Sequence, residues 1–143
     1  MKRHFSRYAT LLVLAHFLAL IAHKSAHASL GIGVSQWQYA FIISVIFAAP
    51  LLSAVLLWTR HAKPGIVLLG VSISASLVFG LTYHFFVAGT DNVMAVRHNS
   101  AGPAFITTAV LLCVIETWIC GLCFRQLTRL TSKEAMSNLT HLF

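Results

Sequence analysis

Three histidines of one apolar run share one face of a predicted helix. His16, His23 and His27 lie in the segment His16-Phe-Leu-Ala-Leu-Ile-Ala-His23-Lys-Ser-Ala-His27. At about 100° per residue, the steps of seven and four residues keep the imidazoles within about 40° of one line. Imidazoles bind metals and carry protons, and inside a membrane their lost solvation has to be replaced by partners. The pattern predicts a functional stripe whose partners lie elsewhere in the chain.

A metal site is the first chemistry that this stripe predicts. His23 and His27 have the i, i+4 spacing with which two imidazoles on one helix face bind a single ion. His84, in the third apolar run, is expected at the same depth, and Asp91 and His98 belong to the loop that follows. These five residues are the predicted ligands. Such a set suits copper, zinc or iron, and geometry would select among them.

A b-type haem is the second possibility. One imidazole from each of two helices, His23 and His84, would supply the axial ligands, and Gly80 would leave room one turn before His84. The additional imidazole of His27 argues against haem, because a haem needs only one ligand from each helix. A third reading is that these histidines only bond water, lipid phosphate or a backbone carbonyl.

A deeper pair is predicted between His16 and Glu116. Each lies about eight residues from the inner end of its apolar run, which places both about 12 Å into the membrane. Pro50 and Ser74 are expected in the same layer. A hydrogen bond between the two side chains would either fix helix packing or relay protons.

The elements that must position these residues are four apolar runs. The 143 residues are 58% hydrophobic and 9% charged, with a mean hydropathy of +0.82, whereas soluble domains are about one-quarter charged. We therefore expect a single all-α membrane domain over residues 1–143, an up-down-up-down bundle of four helices. The helices are predicted at about residues 8–28, 38–58, 66–88 and 104–124. Pro50 should kink the second, and residues 125–143 should form a tail that lies at the membrane surface as a weakly amphipathic helix.

Basic residues predict the orientation. The amino terminus, the second connection and the tail carry three, two and three Lys or Arg residues, whereas the first and third connections carry only Lys24 and Arg97. Both termini should therefore be cytoplasmic, in a membrane of the bacterial inner type. A basic start before an apolar run also resembles a secretory signal, but the run is long, so we expect the first helix to be retained. The net charge of +7 fits anionic lipid rather than nucleic acid.

The sequence gives little support for thiol redox chemistry or for a di-iron site. The only Cys-x-x-C pair, Cys120 and Cys123, lacks the second pair that a membrane thiol oxidoreductase needs, and packing explains it better. Three acidic residues cannot build a carboxylate-rich di-iron cage. The leading hypothesis is electron transfer or metal handling, alone or within a larger complex, by a metal centre or b-type haem near the outer side of the membrane. The alternatives are a non-catalytic accessory subunit of a larger membrane complex and a proton-coupled transporter using Glu116 and His16. Other membrane subunits or a second copy of this chain are the partners that we consider.

Overall fold

The computed structural model describes the backbone of residues 3–140 and, among these, all side chains except those of 133–135 and 137–140. The described residues are helical and contain no strand. Four helices are long and apolar enough to cross a membrane, which indicates a membrane protein. They are named here the first to fourth long helices: Arg3–Ser29, Gln36–Leu56, Ala62–Phe86 and Gly102–Ser132. The prediction of an all-helical chain with four such helices is confirmed.

The second long helix begins earlier than predicted because of a capping box. The Ser35 Oγ accepts a hydrogen bond from the backbone N–H of Gln38 at 3.4 Å, and the Ser35 N–H donates to the Gln38 side chain at 2.8 Å. These reciprocal bonds satisfy backbone donors that the first helical turn leaves open. The helix therefore begins at Gln36, and Trp37 lies inside its first turn.

Pro50 does not interrupt the second long helix, but the segment before it is π-helical instead of α-helical. Residues Ile42–Ala48 form a π-helical segment, and the α-helix Ala49–Leu56 follows with Pro50 in its first turn. Proline lacks the N–H that an α-helix would donate to the preceding turn, so the wider hydrogen-bond spacing before it accommodates the ring. The backbone passes Pro50 as one continuous helix.

The third long helix begins at Ala62, four residues before its predicted start at 66. Pro64 lies in its first turn, where the missing N–H has no intrahelical acceptor to lose. Gly65 allows the close approach of the preceding helix, because a Cβ at this position would lie 2.9 Å from the Cβ of Leu56. At its other end, the helix finishes in a π-helical turn, Thr82–Phe86.

The fourth long helix corrects the prediction of a separate tail. Its candidate membrane span, Gly102–Ser132, belongs to one helix that runs without interruption from Gly102 to Thr140, so residues 125–140 continue the helix instead of forming a distinct surface segment. No proline follows Gly121, and the added stretch is rich in residues with high helix propensity. Residues 141–143 of the predicted tail lie outside the described part of the chain.

Packing divides the interior into two clusters. The fourth long helix packs against the first and the third, and the second packs mainly on the third. One cluster contains Ala9, Val13, Leu57, Ile66, Leu69, Ile73, Ile119 and Cys123, and a smaller one contains Ala26, Val96 and Phe105. Large apolar side chains such as Leu18, Val71 and Phe124 remain more than 60% exposed, as expected where lipid replaces water around a helix.

Candidate metal centre

Three imidazoles from the first and third long helices converge on one point. His23 and His27 lie one turn apart on the first helix, and His84 lies in the π-helical turn that ends the third. One potential ligand atom from each of the three lies within 4.8 Å of the others. The structure thus brings together His23, His27 and His84, a group that could hold a metal ion.

The bonds behind the rings orient His23 and His84. The His84 Nδ1 lies 3.1 Å from the backbone oxygen of Asp91, and a carbonyl oxygen only accepts, so this nitrogen carries the proton. The Thr108 hydroxyl lies 2.8 Å from the backbone oxygen of Ala104 and 2.9 Å from the His23 Nδ1; when it donates to Ala104, it accepts from a protonated His23 Nδ1. Each neutral ring then presents an unprotonated Nε2 to the centre of the cluster.

The two free nitrogens face each other at short range. The Nε2 atoms of His23 and His84 are 3.2 Å apart, a distance at which one ring can donate a hydrogen bond to the other. With both protons on Nδ1 instead, the two lone pairs repel each other. A cation between them removes this repulsion. In a tetrahedral site with metal–nitrogen bonds of about 2.0–2.1 Å, ligand nitrogens lie about 3.3 Å apart, so the spacing of this pair already suits a shared metal ion.

Phe105 forms the wall behind the three imidazoles. Its side chain is fully buried, and its ring centroid lies 4.8 Å from that of His23, 4.9 Å from that of His27 and 5.2 Å from that of His84. The ring limits the orientations that the imidazoles can adopt and excludes water from one side of the cluster. An apolar shell of this kind controls solvent access to a metal site.

The loop after the third long helix supplies the support for His84. Besides its backbone contact, Asp91 places a carboxylate oxygen 3.8 Å from the His84 Nδ1. Asn92 fixes the loop, because its side-chain amide donates to the Val87 carbonyl at 3.0 Å and its oxygen caps the short helix Val93–Val96 at the Met94 N–H. Asp91 therefore lies behind the imidazole, on the side away from Nε2, which is the position of residues that orient metal-binding histidines.

His98 does not join the cluster. Its side chain is exposed, and its Nε2 accepts a hydrogen bond from the Arg97 Nε at 2.9 Å. The short helix Val93–Val96 separates it from Asp91 along the loop and leaves it at the surface. The group that could hold a metal ion contains His23, His27 and His84, whereas His98 and Asp91 as ligands stay predictions.

The described geometry gives no support to a haem between His23 and His84. Axial nitrogens of a haem lie about 4 Å apart on opposite faces of the macrocycle. Here the Nε2 atoms are 3.2 Å apart and the rings touch, with centroids separated by 4.9 Å. Gly80 leaves open space, since a Cβ there would meet no atom within 4 Å, but this space belongs to a cavity beside the cluster rather than to a slot between the two rings.

His16 and Glu116 make the contact that the sequence predicts. The serine that joins them is Ser76, not the expected Ser74. The His16 Nε2 lies 3.0 Å from the Glu116 Oε1, and the Ser76 hydroxyl donates to the same oxygen at 2.5 Å. Ser74 instead contacts the Cys120 Sγ at 3.3 Å, because it projects from a different face of its helix. The His16 Nδ1 is buried and has no hydrogen-bond partner among the described residues.

A cavity of about 330 Å³ joins the two layers. All three cluster histidines line it, as do Ser76 and Glu116 at its far end. Residues from each of the four long helices contribute to the lining, which is mainly apolar between the two ends: Leu20, Ile42, Ile46, Phe47, Phe79 and Leu112.

Sequence reasoning missed Thr108, Phe105 and Ser76. Phe105 and Thr108 lie at i, i+3 near the start of the fourth long helix, and Ser76 lies on the third, two residues after Ser74. Their roles depend on contacts between helices far apart in sequence, with separations of 85 residues for His23–Thr108 and 40 for Ser76–Glu116. For Thr108 and Ser76, the one signal in the sequence was that a polar residue lies among the apolar residues of a predicted membrane helix.

Comparisons of this chain with protein-family models, with curated proteins and with solved structures found no match.

Proposed function

We propose that this chain is an integral membrane protein that binds one transition-metal ion through His23, His27 and His84. The observation that carries the proposal is the 3.2 Å contact between the Nε2 atoms of His23 and His84, whose Nδ1 atoms are engaged elsewhere. Imidazoles held from behind by a hydroxyl and a carbonyl match the usual environment of metal-binding histidines.

The membrane arrangement that we propose is the alternating bundle with both termini in the cytoplasm. Contacts between the first and fourth long helices support it. His16 meets Glu116 and His23 meets Thr108, so residue numbers rise along one helix as they fall along the other. The excess of Lys and Arg at the termini and in the second connection supports the orientation, and an inner-type bacterial membrane remains our proposal for its location.

Three imidazoles leave a coordination position for a ligand from outside the chain. Sites with three protein ligands and one open position are those at which zinc and other transition ions act on a bound molecule. Phe105 covers one side of the cluster, whereas the cavity adjoins all three histidines. The open position therefore faces the cavity, and metal handling, rather than electron transfer through haem, is the role that we favour.

The test is a metal titration of the purified full-length protein in detergent after treatment with a chelator. We expect one equivalent of Co²⁺ to bind, with Zn²⁺ and Cu²⁺ competing, and visible absorption typical of a site with imidazole ligands. His84→Ala should weaken Co²⁺ binding by more than about 100-fold, because removing a direct ligand lowers metal affinity more than removing a residue that only orients a ligand.

The matched control is His98→Ala, which removes an exposed imidazole outside the cluster. Its Co²⁺ affinity should equal that of the unmodified protein. Equal weakening by His98→Ala and His84→Ala, or the failure of all three ions to bind, would contradict the proposal.

A further inference from the structure

The cavity beside the metal centre is the part of the molecule that the proposed metal site alone does not explain. It extends from the cluster histidines to Glu116. His23 and His16 are seven residues apart on one helix, so the two layers are separated by about 10 Å. Its volume of about 330 Å³ lies at the lower end of the range for small-molecule sites.

The mouth of the cavity lies between the first two long helices. Val34, Tyr39 and Ile43 line it and are each more than 40% exposed. In a bilayer these apolar and amphipathic side chains would meet lipid, so a molecule dissolved in the membrane could enter from the side. Lys24, also exposed, lies at the rim near the cluster.

Charge differs between the two ends of the cavity. At the outer end, a bound divalent ion and the Lys24 ammonium would both attract an anion. The carboxylate of Asp91 also lines this end, but it lies behind His84, 3.8 Å from Nδ1. At the inner end, Glu116 is held by Ser76 and His16, and Lys24 at the other end is the only Lys or Arg among the described residues that line the cavity.

We propose that the cavity binds a single-chain fatty acid from the bilayer, with its carboxylate on the metal ion and its chain in the apolar cavity. This inference rests on the proposed metal site. The head group would meet the open coordination position and Lys24, while the chain would contact residues such as Ile46, Phe47 and Leu112. The volume accommodates one short chain rather than the two chains of a phospholipid.

Gly80 provides a variant that fills the cavity without disturbing the backbone. It lines the cavity, and a Cβ at this position would meet nothing within 4 Å. Gly80→Leu should therefore place its side chain where the fatty-acid chain would lie. Gly121→Leu is the matched control, because Gly121 is also helical and open but lines a separate groove.

The experiment follows the visible spectrum of Co²⁺-loaded full-length protein during titration with decanoate or acetate in one detergent. Each buried CH₂ contributes about 0.8 kcal/mol, or about fourfold in affinity, so decanoate should bind at least about 100-fold more tightly than acetate. Gly80→Leu should weaken decanoate binding at least tenfold and leave the response to acetate unchanged, whereas Gly121→Leu should change neither. Lys24→Gln should weaken binding of both acids.

The outcomes separate this inference from the proposed function. If Co²⁺ binds but decanoate and acetate have equal affinity, or if Gly80→Leu and Gly121→Leu behave alike, the fatty-acid site is wrong and the metal site stands. If Co²⁺ does not bind, both proposals fail. Because both leucine variants are measured in the same detergent, partitioning of decanoate into micelles affects them equally.

Discussion

The Nε2 atoms of His23 and His84 lie 3.2 Å apart, and each ring is held from behind by a different part of the chain. Thr108 of the fourth long helix bonds His23, and the backbone of Asp91 bonds His84. Neither imidazole can turn its Nε2 away without breaking a partly buried hydrogen bond. Because these bonds fix the orientation of both rings, the pair would be preorganised for the metal ion that we propose.

Thr108 should therefore control metal affinity without touching the ion. Thr108→Val keeps the shape of the side chain but removes the acceptor for the His23 Nδ1, so we expect Co²⁺ affinity to fall about 10- to 100-fold. Thr108→Ser should retain most of the affinity. Thr117→Val is the matched control, because the Thr117 hydroxyl is exposed and bonds only the Cys113 carbonyl. Equal affinities for Thr108→Val and Thr117→Val would show that the bond to His23 has no part in metal binding.

The His16–Glu116 pair should stabilise the fold without contributing to the metal site. Both side chains are buried, and removing one member of a buried pair costs about 3–5 kcal/mol. We expect His16→Ala to lower the free energy of unfolding by this amount in a denaturant titration. Co²⁺ affinity of the folded protein should remain within about twofold, because the layers are about 10 Å apart.

Ser44→Ala is the control for this measurement, since the Ser44 hydroxyl is exposed and bonds a carbonyl of its own helix; we expect a change of about 0.5 kcal/mol or less. Loss of Co²⁺ binding in His16→Ala at unchanged stability would indicate instead that the two layers act as one site.

Ser76→Ala should also destabilise the protein, by a smaller amount. It removes the hydroxyl that donates to the Glu116 Oε1 and leaves that buried oxygen with the His16 contact alone, at a cost of about 1–3 kcal/mol. Ser74→Ala, on the same helix, removes only an exposed contact to Cys120 and should change the free energy of unfolding by about 0.5 kcal/mol or less. The same unfolding titration compares the two, and a larger loss from Ser74→Ala would contradict the assignment of Ser76 to this layer.

Two glycines of the third and fourth long helices should respond differently to alanine. At Gly102 a Cβ would collide with the Val96 carbonyl, so Gly102→Ala must displace the loop that carries Asp91 and should cost about 1–3 kcal/mol. At Gly80 a Cβ meets nothing within 4 Å, and alanine favours a helix by up to about 1 kcal/mol. Thermal unfolding should rank Gly80→Ala at or above the unmodified protein and Gly102→Ala below it; the reverse order would contradict the packing described around Val96.

Reporter fusions test the orientation. A fluorescent protein at the carboxyl terminus should fluoresce in the cytoplasm, whereas alkaline phosphatase should be active only when inserted into the loop near Arg97, because the positive-inside rule places that loop outside. Active phosphatase at the carboxyl terminus would reverse the assignment of the metal centre to the outer half of the membrane.

The composition of the apolar runs and the spacing of residues within them were enough to predict the four apolar helices and the shared face of His23 and His27. Helix ends were less predictable, because they depend on local bonds such as the Ser35–Gln38 capping box and on whether a proline lies in a first turn, as Pro64 does. The extension of the fourth long helix to Thr140 was missed, since a polar surface stretch and a continued polar helix have the same composition.

The sequence by itself determined that this chain is helical and apolar enough for a membrane, and that two imidazoles lie one turn apart, because both follow from residue type and the fixed geometry of a helix. Only the tertiary structure decided which other groups meet them. It brought in His84 through a π-helical turn, added Thr108 and Phe105 from the fourth long helix, and left His98 at the surface. These outcomes depend on helix rotation and on the path of one loop, which contacts between distant segments fix and which no local pattern encodes.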